Sequence, residues 1–152
     1  MKKLPEIKIC GITNFFDAEK SILLGADYLG FIQYPSSPRF IDLNLVAELF
    51  KKLRRHAYQK VLVDVNPEPE MLKLYLQKGF EFFQLHFPHD ISINRIDSWK
   101  KVIGAENLWL APKIPPHSEF PPELINYAEH FLVDAFSTTA FGGTGEQADW
   151  VE

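Results

Sequence analysis

Short apolar runs alternate along the chain with longer segments that mix apolar and polar residues. Six of the short runs are bounded by turn-forming residues and are too short for helices, so they predict buried β-strands. These runs cover residues 7–10, 28–32, 61–65, 82–85, 108–111 and 131–133. Because they are nearly continuously apolar and do not alternate with polar residues, they favour a parallel sheet covered on both faces.

The longer segments have the spacing of amphipathic helices. Residues 43–54 are the clearest case, since apolar side chains recur there at steps of three and four while lysines and arginines take the other face. Further helices are predicted at about 14–24, 68–78, 92–102 and 121–129. Gly25 and Gly79 stand where helices are expected to stop, and Asn66-Pro67 has the composition of a helix start.

A regular βα repeat of this kind leaves two architectures open, a doubly wound open sheet and a closed eight-stranded barrel. We expect residues 1–152 to form a single α/β domain. In both architectures the chemistry gathers at the carboxyl ends of the strands. The polar positions that follow the predicted strands are Cys10, Gln33 to Arg39, Asp64 to Asn66, His86, Lys113 and Asp134.

Composition narrows the class of partner. The formal net charge of −4 argues against nucleic acid as the main partner. No apolar run reaches the length of a membrane span, no secretory signal is evident, and a single cysteine fits a reducing compartment, so a cytoplasmic protein is expected. The histidines lack metal-ligand spacing and one cysteine cannot form a thiolate cluster, so no metal is expected.

Cys10 and Asp134 are the sharpest pair of candidate catalytic residues. A lone cysteine is often a small buried apolar residue, and an aspartate after a strand is often a helix cap. At strand ends, however, a thiolate is able to take a proton from carbon while a carboxylic acid protonates an oxygen. Arg39 is suited to grip a carboxylate or phosphate, or else to form a surface ion pair.

Three weaker candidates complete the set. The glycine-rich loop with Gly142, Gly143 and Gly145 offers backbone amides to an anion or closes as a lid, unless it is a plain connection. His86 and Lys113 follow predicted strands, but each is equally well explained by a structural role.

Seven segments together resemble the phosphoribosylanthranilate isomerase family of tryptophan biosynthesis. They are Lys8-Ile9-Cys10-Gly11-Ile12-Thr13, Gly25-Ala26-Asp27 with Leu29-Gly30-Phe31-Ile32, Ser37-Pro38-Arg39, Val65-Asn66-Pro67, Gln84-Leu85-His86, Leu132-Val133-Asp134-Ala135, and Gly142-Gly143-Thr144-Gly145 with Asp149-Trp150. Two departures from the usual pattern are Phe87-Pro88-His89-Asp90, in place of glycine and an acid, and Ala148, in place of phenylalanine.

The resemblance implies a (βα)₈ barrel and an Amadori rearrangement of N-(5-phosphoribosyl)anthranilate without a cofactor. The matching aspartate, Asp134, would be the general acid that opens the ribose ring, and Cys10 the general base that takes the C2 proton. Arg39 would hold the anthranilate carboxylate, with His86 near the substrate and the glycine loop beside it. The implied partner is thus a small phosphorylated substrate, with neither a membrane nor a nucleic acid involved.

The length sets a further expectation, because an eight-unit barrel needs roughly 200 residues or more. With 152 residues and about six βα units, the chain is expected to lack the strands whose loops form the main phosphate site. It should then be inactive or very weak alone, and prone to self-association through open sheet edges.

Two other functional readings stay open. One is a catalytically dead fragment that serves as an association module. The other is a receiver-like signalling domain, with Asp64 as phosphoacceptor and Lys113 as its lysine. Against the second, Cys10 ends the first strand where that class needs an acidic pair, and His86 follows the fourth strand where it needs serine or threonine.

Overall fold

The computed structural model describes residues 4–134 and residue 137. Strands and helices alternate in this part as β1 (Lys8–Cys10), α1 (Phe15–Leu23), β2 (Tyr28–Ile32), α2 (Leu43–Lys52), β3 (Gln59–Val65), α3 (Pro69–Gln77), β4 (Phe82–Pro88), α4 (Ile93–Ile103), β5 (Leu108–Lys113) and β6 (His130–Phe131). A short 3₁₀ helix, Pro122–Asn126, lies between β5 and β6. Among the described helices, none has the length and apolar character needed to cross a bilayer.

The strands lie in the sheet in the order in which they occur in the chain, from β1 to β6. The pairs β1–β2, β2–β3, β4–β5 and β5–β6 are all parallel. A doubly wound sheet reverses its strand order at a switch point, whereas a (βα) barrel adds each strand beside the preceding one. The order therefore agrees with the barrel family and contradicts the receiver-like alternative. In the part of the chain that the structure describes, β1 and β6 are edge strands, as predicted.

Backbone contacts group the chain into two compact units. The first unit contains Met1–Asp64 and Leu74–Phe82, and the second contains Val65–Lys73 and Phe83–Glu152. The prediction of a single domain stays a prediction.

The core of the first unit is built around aromatic rings on the helix-facing side of the strands. Phe31 on β2 packs edge-to-face on Phe50 of α2, with 5.2 Å between ring centroids. Phe50 in turn packs on Phe80, at 5.3 Å and also edge-to-face. Such pairs add to the free energy gained by burial alone, so this cluster fixes α2 against β2.

The core of the second unit centres on Trp99 of α4, whose side chain is fully buried. Its ring lies 5.7 Å from that of Phe87 on β4, and its Nε1 donates a hydrogen bond of 2.9 Å to the carbonyl of Pro67. Because a buried indole N–H needs an acceptor, this bond ties α4 to the loop that follows β3.

The predicted helix stops are confirmed. Gly25 and Gly79 both have positive φ, at 97° and 92°, a conformation that glycine adopts without strain. After α1, the amide of Gly25 donates to Ile22 and that of Ala26 to Ser21, which is the paired pattern of a Schellman motif.

Several predicted boundaries were wrong, and three of them affect the reading of the fold or the site. Residues 121–129 form only the short 3₁₀ helix, because two prolines open the segment and leave too few residues for an α-helix before β6. Asn66-Pro67 does not cap α3, which begins at Pro69 instead, and Asn66 takes the left-handed conformation with φ of 44°. Finally, β4 runs to Pro88, so His86 lies within that strand and not after it.

We expect Tyr58→Phe to make the chain more resistant to alkali. The Tyr58 hydroxyl is buried and lacks a hydrogen-bond partner among the described residues. Burial, reinforced by the negative charge of Glu81, raises the pKa of Tyr58 to about 12. Above its unfolded pKa of about 10 the unfolded chain has lost this proton while the folded chain keeps it, so the free energy of unfolding falls as the pH rises.

Phenylalanine cannot titrate, so the variant should lose less stability than the unaltered chain between about pH 8 and about pH 11. At neutral pH the variant should be equally stable or up to about 1 kcal/mol more stable, since an unpaired hydroxyl is removed. Urea unfolding at both pH values measures this, with Tyr34→Phe as the control. If the free energy of unfolding fell by the same amount at high pH in Tyr58→Phe and Tyr34→Phe, the alkaline loss of stability would not come from Tyr58.

Candidate active site

Cys10 is the last residue of β1 and is half-buried. Immediately after it the chain turns, and the amides of Gly11 and Ile12 both donate to the carbonyl of Gly30 on β2, at 2.9 and 3.0 Å. Cys10 is also in register with Gly30 in the parallel pair β1–β2. The hydrogen bonds of Gly11 and Ile12 to Gly30, and the register of Cys10 with Gly30, therefore fix the backbone from which the thiol projects.

Gly30 makes room for the side chains of β1. A Cβ atom at this position would lie 3.0 Å from Cys10 Sγ and 3.2 Å from Lys8 Cε. Lys8 and Cys10 are two residues apart on one strand, so their side chains share a face. The thiol and the lysine stem thus occupy the space that a side chain at position 30 would fill.

Arg39 is the second candidate residue that the structure brings to this strand end. Its Nη1 donates a hydrogen bond of 3.2 Å to the carbonyl of Cys10. Gly11, with φ of 86°, allows this approach, because a Cβ there would lie 2.7 Å from Arg39 Cδ. In the first unit, an exposed guanidinium is therefore hydrogen-bonded to the backbone of Cys10, although these residues are distant in sequence.

In the second unit, the polar face of β4 and β5 carries His86 and Lys113. Gln84 and His86 are buried on β4, with 2.7 Å between the Nε2 atoms of the two side chains. On β5, Ala111 is in register with His86, and Lys113, which ends the strand, is half-buried. Sequence reasoning missed Gln84, although its spacing of two residues from His86 on a strand is the pattern that places both on one face.

Asp134 is exposed and follows the last residue of β6, Phe131, by three positions. The ladder extends one residue past β6, because the amide of Leu132 donates to Leu110 at 2.9 Å. The predicted strand at 131–133 is therefore displaced towards the amino terminus. Gly142, Gly143 and Gly145 lie outside the described residues.

Asp64 lies on the opposite face of β3 from the candidate site of the first unit. Val61 is in register with Gly30, so Val61 and Val63 share the face of Cys10, and Asp64 faces the helices. It is buried and accepts a hydrogen bond of 3.2 Å from Tyr75 on α3. Burial, and then the charge of Asp64, raise the pKa of Tyr75. The carboxylate is thus a structural partner of α3, which contradicts its reading as a phosphoacceptor.

The chemistry of each unit suits an anionic ligand. In the first unit, the Lys8 stem lies near the thiol of Cys10, and Arg39 donates to the backbone carbonyl of Cys10. In the second unit, His86 and Lys113 supply nitrogen donors from one face of β4 and β5. Within residues 4–134 and 137, no three or more His, Cys, Asp or Glu side chains are grouped to hold a metal ion.

We expect Gly30→Ala to destabilise the chain by about 1–3 kcal/mol, because a new methyl group must displace the thiol of Cys10. The loss should shrink when Cys10→Ala is combined with Gly30→Ala, since the crowding sulfur is then gone. Urea unfolding of the single and double variants gives the coupling energy.

Gly25→Ala is the matched control. A Cβ at Gly25 would meet no heavy atom within 4 Å, so its cost comes from the positive φ alone and amounts to about 1 kcal/mol. That cost should be the same with and without Cys10→Ala. If Gly25→Ala and Gly30→Ala had equal coupling energies with Cys10→Ala, the sulfur of Cys10 would not be what opposes a side chain at position 30.

Comparison with known proteins gives one consistent result. The family model of N-(5'phosphoribosyl)anthranilate (PRA) isomerase matches residues 7–152. The N-(5'-phosphoribosyl)anthranilate isomerase of Aquifex aeolicus (strain VF5) is 38% identical over 145 residues, which cover 95% of this chain and 68% of that protein.

Solved structures agree in fold. A crystal structure of mutually generated monomers of the dimeric Thermotoga maritima enzyme superposes with a TM-score of 0.70 and 32% identity, covering 86% of this chain and 65% of the other. A phosphoribosylanthranilate isomerase in complex with reduced 1-(o-carboxyphenylamino)-1-deoxyribulose 5-phosphate gives a TM-score of 0.61 and 32% identity, covering 71% and 53%.

This chain therefore spans about two thirds, or less, of the length of these relatives. The match nevertheless extends over almost all of its own residues, and the strand order of the described part is that of the barrel fold. The chain belongs to the N-(5'-phosphoribosyl)anthranilate isomerase family.

Proposed function

We propose that this protein catalyses the isomerisation of N-(5'-phosphoribosyl)anthranilate in tryptophan biosynthesis. The observation that carries the proposal is the family match over residues 7–152, joined to a thiol and a guanidinium at the carboxyl end of β1. A half-buried cysteine whose own backbone carbonyl accepts from a guanidinium offers a base and an anion-binding group at one strand end.

Asp134 is proposed as the general acid. Its carboxylic acid would donate a proton to the ribose ring oxygen, and the lone pair of the anthranilate nitrogen would break the C1–O bond to give an iminium. Asp134 is exposed, so the proton has a path from solvent. The acid acts on oxygen and needs no contact with the carbon that later loses a proton.

Cys10 is proposed as the general base. Its thiolate would take the proton from C2 of the iminium, whose electron pair then forms the C1–C2 double bond of an enolamine. Tautomerisation gives the ketone at C2 and a reduced C1. Since C2 is oxidised while C1 is reduced, the electrons balance within the substrate, and no cofactor is required.

Arg39 is proposed to bind the anthranilate carboxylate. A guanidinium has five N–H donors, and the described contact to the Cys10 carbonyl uses only Nη1. A fork geometry is available for two parallel hydrogen bonds to a carboxylate. His86 is proposed as a substrate-binding residue, and Gly142, Gly143 and Gly145 as amide donors to an anionic group.

The test is conversion of the fluorescent anthranilate substrate under single-turnover conditions, with the chain in excess so that slow conversion is detected. Cys10→Ser and Asp134→Asn should each lower the rate by about a hundredfold or more, the usual share of a general acid or base. Circular dichroism checks that the variants stay folded.

Asp90→Asn is the matched control, because Asp90 is another exposed aspartate that follows a strand. It should leave the rate unchanged within about twofold. The length of the chain leads us to expect either no activity or very weak activity alone, and the proposal requires the second. The proposal fails if the unaltered chain in excess converts no substrate, or if Cys10→Ser converts it at the rate of the control.

We also propose that the chain self-associates through an open sheet edge. Ile7 and Ile9, at β1, are 48% and 40% exposed, which is unusual for isoleucines at the edge of a parallel sheet. A structural relative is described as a dimeric enzyme.

Sedimentation at micromolar concentration should then give a mass of at least two chains. Ile9→Lys should weaken the association by about tenfold or more, since a charge on an edge strand opposes pairing. Leu45→Lys, at a residue that is 51% exposed on α2, is the control and should leave the mass unchanged. A monomer at all concentrations would contradict the proposal.

A further inference from the structure

The loop that follows β2, residues 33–41, is closed on itself. Its last residue pairs with the end of β2, because the amide of Ile41 donates a hydrogen bond of 3.1 Å to the carbonyl of Ile32. Within the loop, the amides of Ser37 and Phe40 each donate to the carbonyl three residues earlier, at 3.0 Å. The loop therefore has a defined conformation, and it lies wholly within the first unit.

Gln33 is a buried polar residue at the start of this loop, with only 6% of it exposed. Its backbone amide donates a hydrogen bond of 2.8 Å to the carbonyl of Val63 on β3, and its side-chain Nε2 donates one of 2.9 Å to the carbonyl of Ile41. A carbonyl accepts and does not donate, so the atom that faces Ile41 is the amide nitrogen. The backbone of Gln33 thus extends the sheet, while its side chain holds the end of the loop.

The surroundings of the Gln33 side chain are apolar. Ile32 and Ile41 are 7% and 2% exposed, and both belong to the core. Burying a carboxamide at such a place costs free energy unless the group is hydrogen-bonded, whereas an apolar side chain would be buried without that cost. What the carboxamide adds at this position is therefore the bond to the loop.

Arg39 is the side chain that this loop carries to Cys10. Its backbone amide donates a hydrogen bond of 3.2 Å to Ser37 Oγ, and its Nη1 donates one of 3.2 Å to the carbonyl of Cys10. The stem lies against Gly11, where a Cβ would be 2.7 Å from Arg39 Cδ. An exposed arginine loses much rotamer freedom when it is held in one position. This geometry therefore depends on a backbone that is itself held in place.

We propose that Gln33 is a positioning residue for Arg39. Its side chain fixes the loop from which the guanidinium reaches the carbonyl of Cys10, and the remaining N–H donors are thereby presented to a carboxylate. The connection runs from the carboxamide to the carbonyl of Ile41 and along two residues of backbone to Arg39. Gln33 acts through Arg39 and needs no contact with substrate. The inference rests on the proposed role of Arg39 in binding the anthranilate carboxylate.

The first test measures the mobility of the Arg39 guanidinium without any ligand, in the whole chain labelled with ¹⁵N-arginine. Nuclear magnetic relaxation of each Nε–Hε group reports its motion on the picosecond to nanosecond timescale. Arg95, which donates two hydrogen bonds to Glu68, is the immobile reference, and Arg54 and Arg55, which are exposed, are the mobile references. In the unaltered chain we expect Arg39 to relax like Arg95.

Gln33→Met keeps a side chain of similar length but removes the donor. In this variant Arg39 should become as mobile as the two exposed references. Tyr75→Phe is the matched control, because it also removes one buried side-chain hydrogen bond from the first unit, the bond of 3.2 Å to Asp64. Arg39 should stay immobile in the control. If Arg39 is as immobile in Gln33→Met as in the control, the positioning role is overturned.

Gln33→Leu repeats the measurement with a branched apolar side chain, so that the result does not depend on the folding of one variant. Circular dichroism and urea unfolding establish whether each variant is folded. If neither variant folds, the inference is overturned as well, because the carboxamide would then be required by the core and not by the loop alone.

The second test is binding of two ligands, reduced 1-(o-carboxyphenylamino)-1-deoxyribulose 5-phosphate and the same compound without its carboxylate. Gln33→Met should weaken binding of the first by about fivefold to tenfold, since a mobile guanidinium must be ordered on binding, and should leave binding of the second unchanged. Equal effects on the two ligands would refute the link to the carboxylate. The mobility of Arg39 is measured without ligand, so failure of the unaltered chain to bind either compound would count against the proposed function alone.

Discussion

The close approach of β1 to β2 at Gly30 is the constraint on which the candidate site depends. Two amides of the turn after Cys10 converge on the Gly30 carbonyl, and the thiol occupies the space where a side chain would stand. A larger residue at this point would move the sulfur, the turn or the strand pair. Glycine is required here for space and not for backbone conformation, since the structure gives a positive φ to Gly11 but not to Gly30.

The two faces of a strand have different roles in this protein. In β4, alternate residues are the fully buried Phe83, Leu85 and Phe87 on the helix side and the polar Gln84 and His86 on the other. The helix side fixes the strand by packing, and the polar side carries the candidate residue His86. Asp64 shows how strict the division is, because its position on β3 makes it a buried partner of Tyr75 and removes it from the candidate site.

The alternation of strands and helices could be predicted from the sequence because the two differ in period. Two helix ends could be predicted because glycine, as at Gly25 and Gly79, adopts a positive φ without strain. The start of a helix was less predictable where two nearby prolines are each compatible with its first position. Pro67 and Pro69 are both compatible with a helix start, and in the structure α3 begins at the second. The length of β4 was also wrong, because His86 interrupts its apolar run while the strand continues to Pro88. The pairing of Gln84 with His86 depends on side-chain geometry and has no signal beyond their spacing.

The bond from Arg39 to the Cys10 carbonyl has a consequence for how substrate range could change in this lineage. The Arg39 side chain, which would bind the carboxylate of the aromatic substrate, also holds the backbone of Cys10, which would abstract the proton. A change at position 39 that admits a substrate without a carboxylate would loosen the strand end at the same time. New specificity would therefore require a second, compensating change, either at the turn or at Gly11, where the guanidinium now lies against bare backbone.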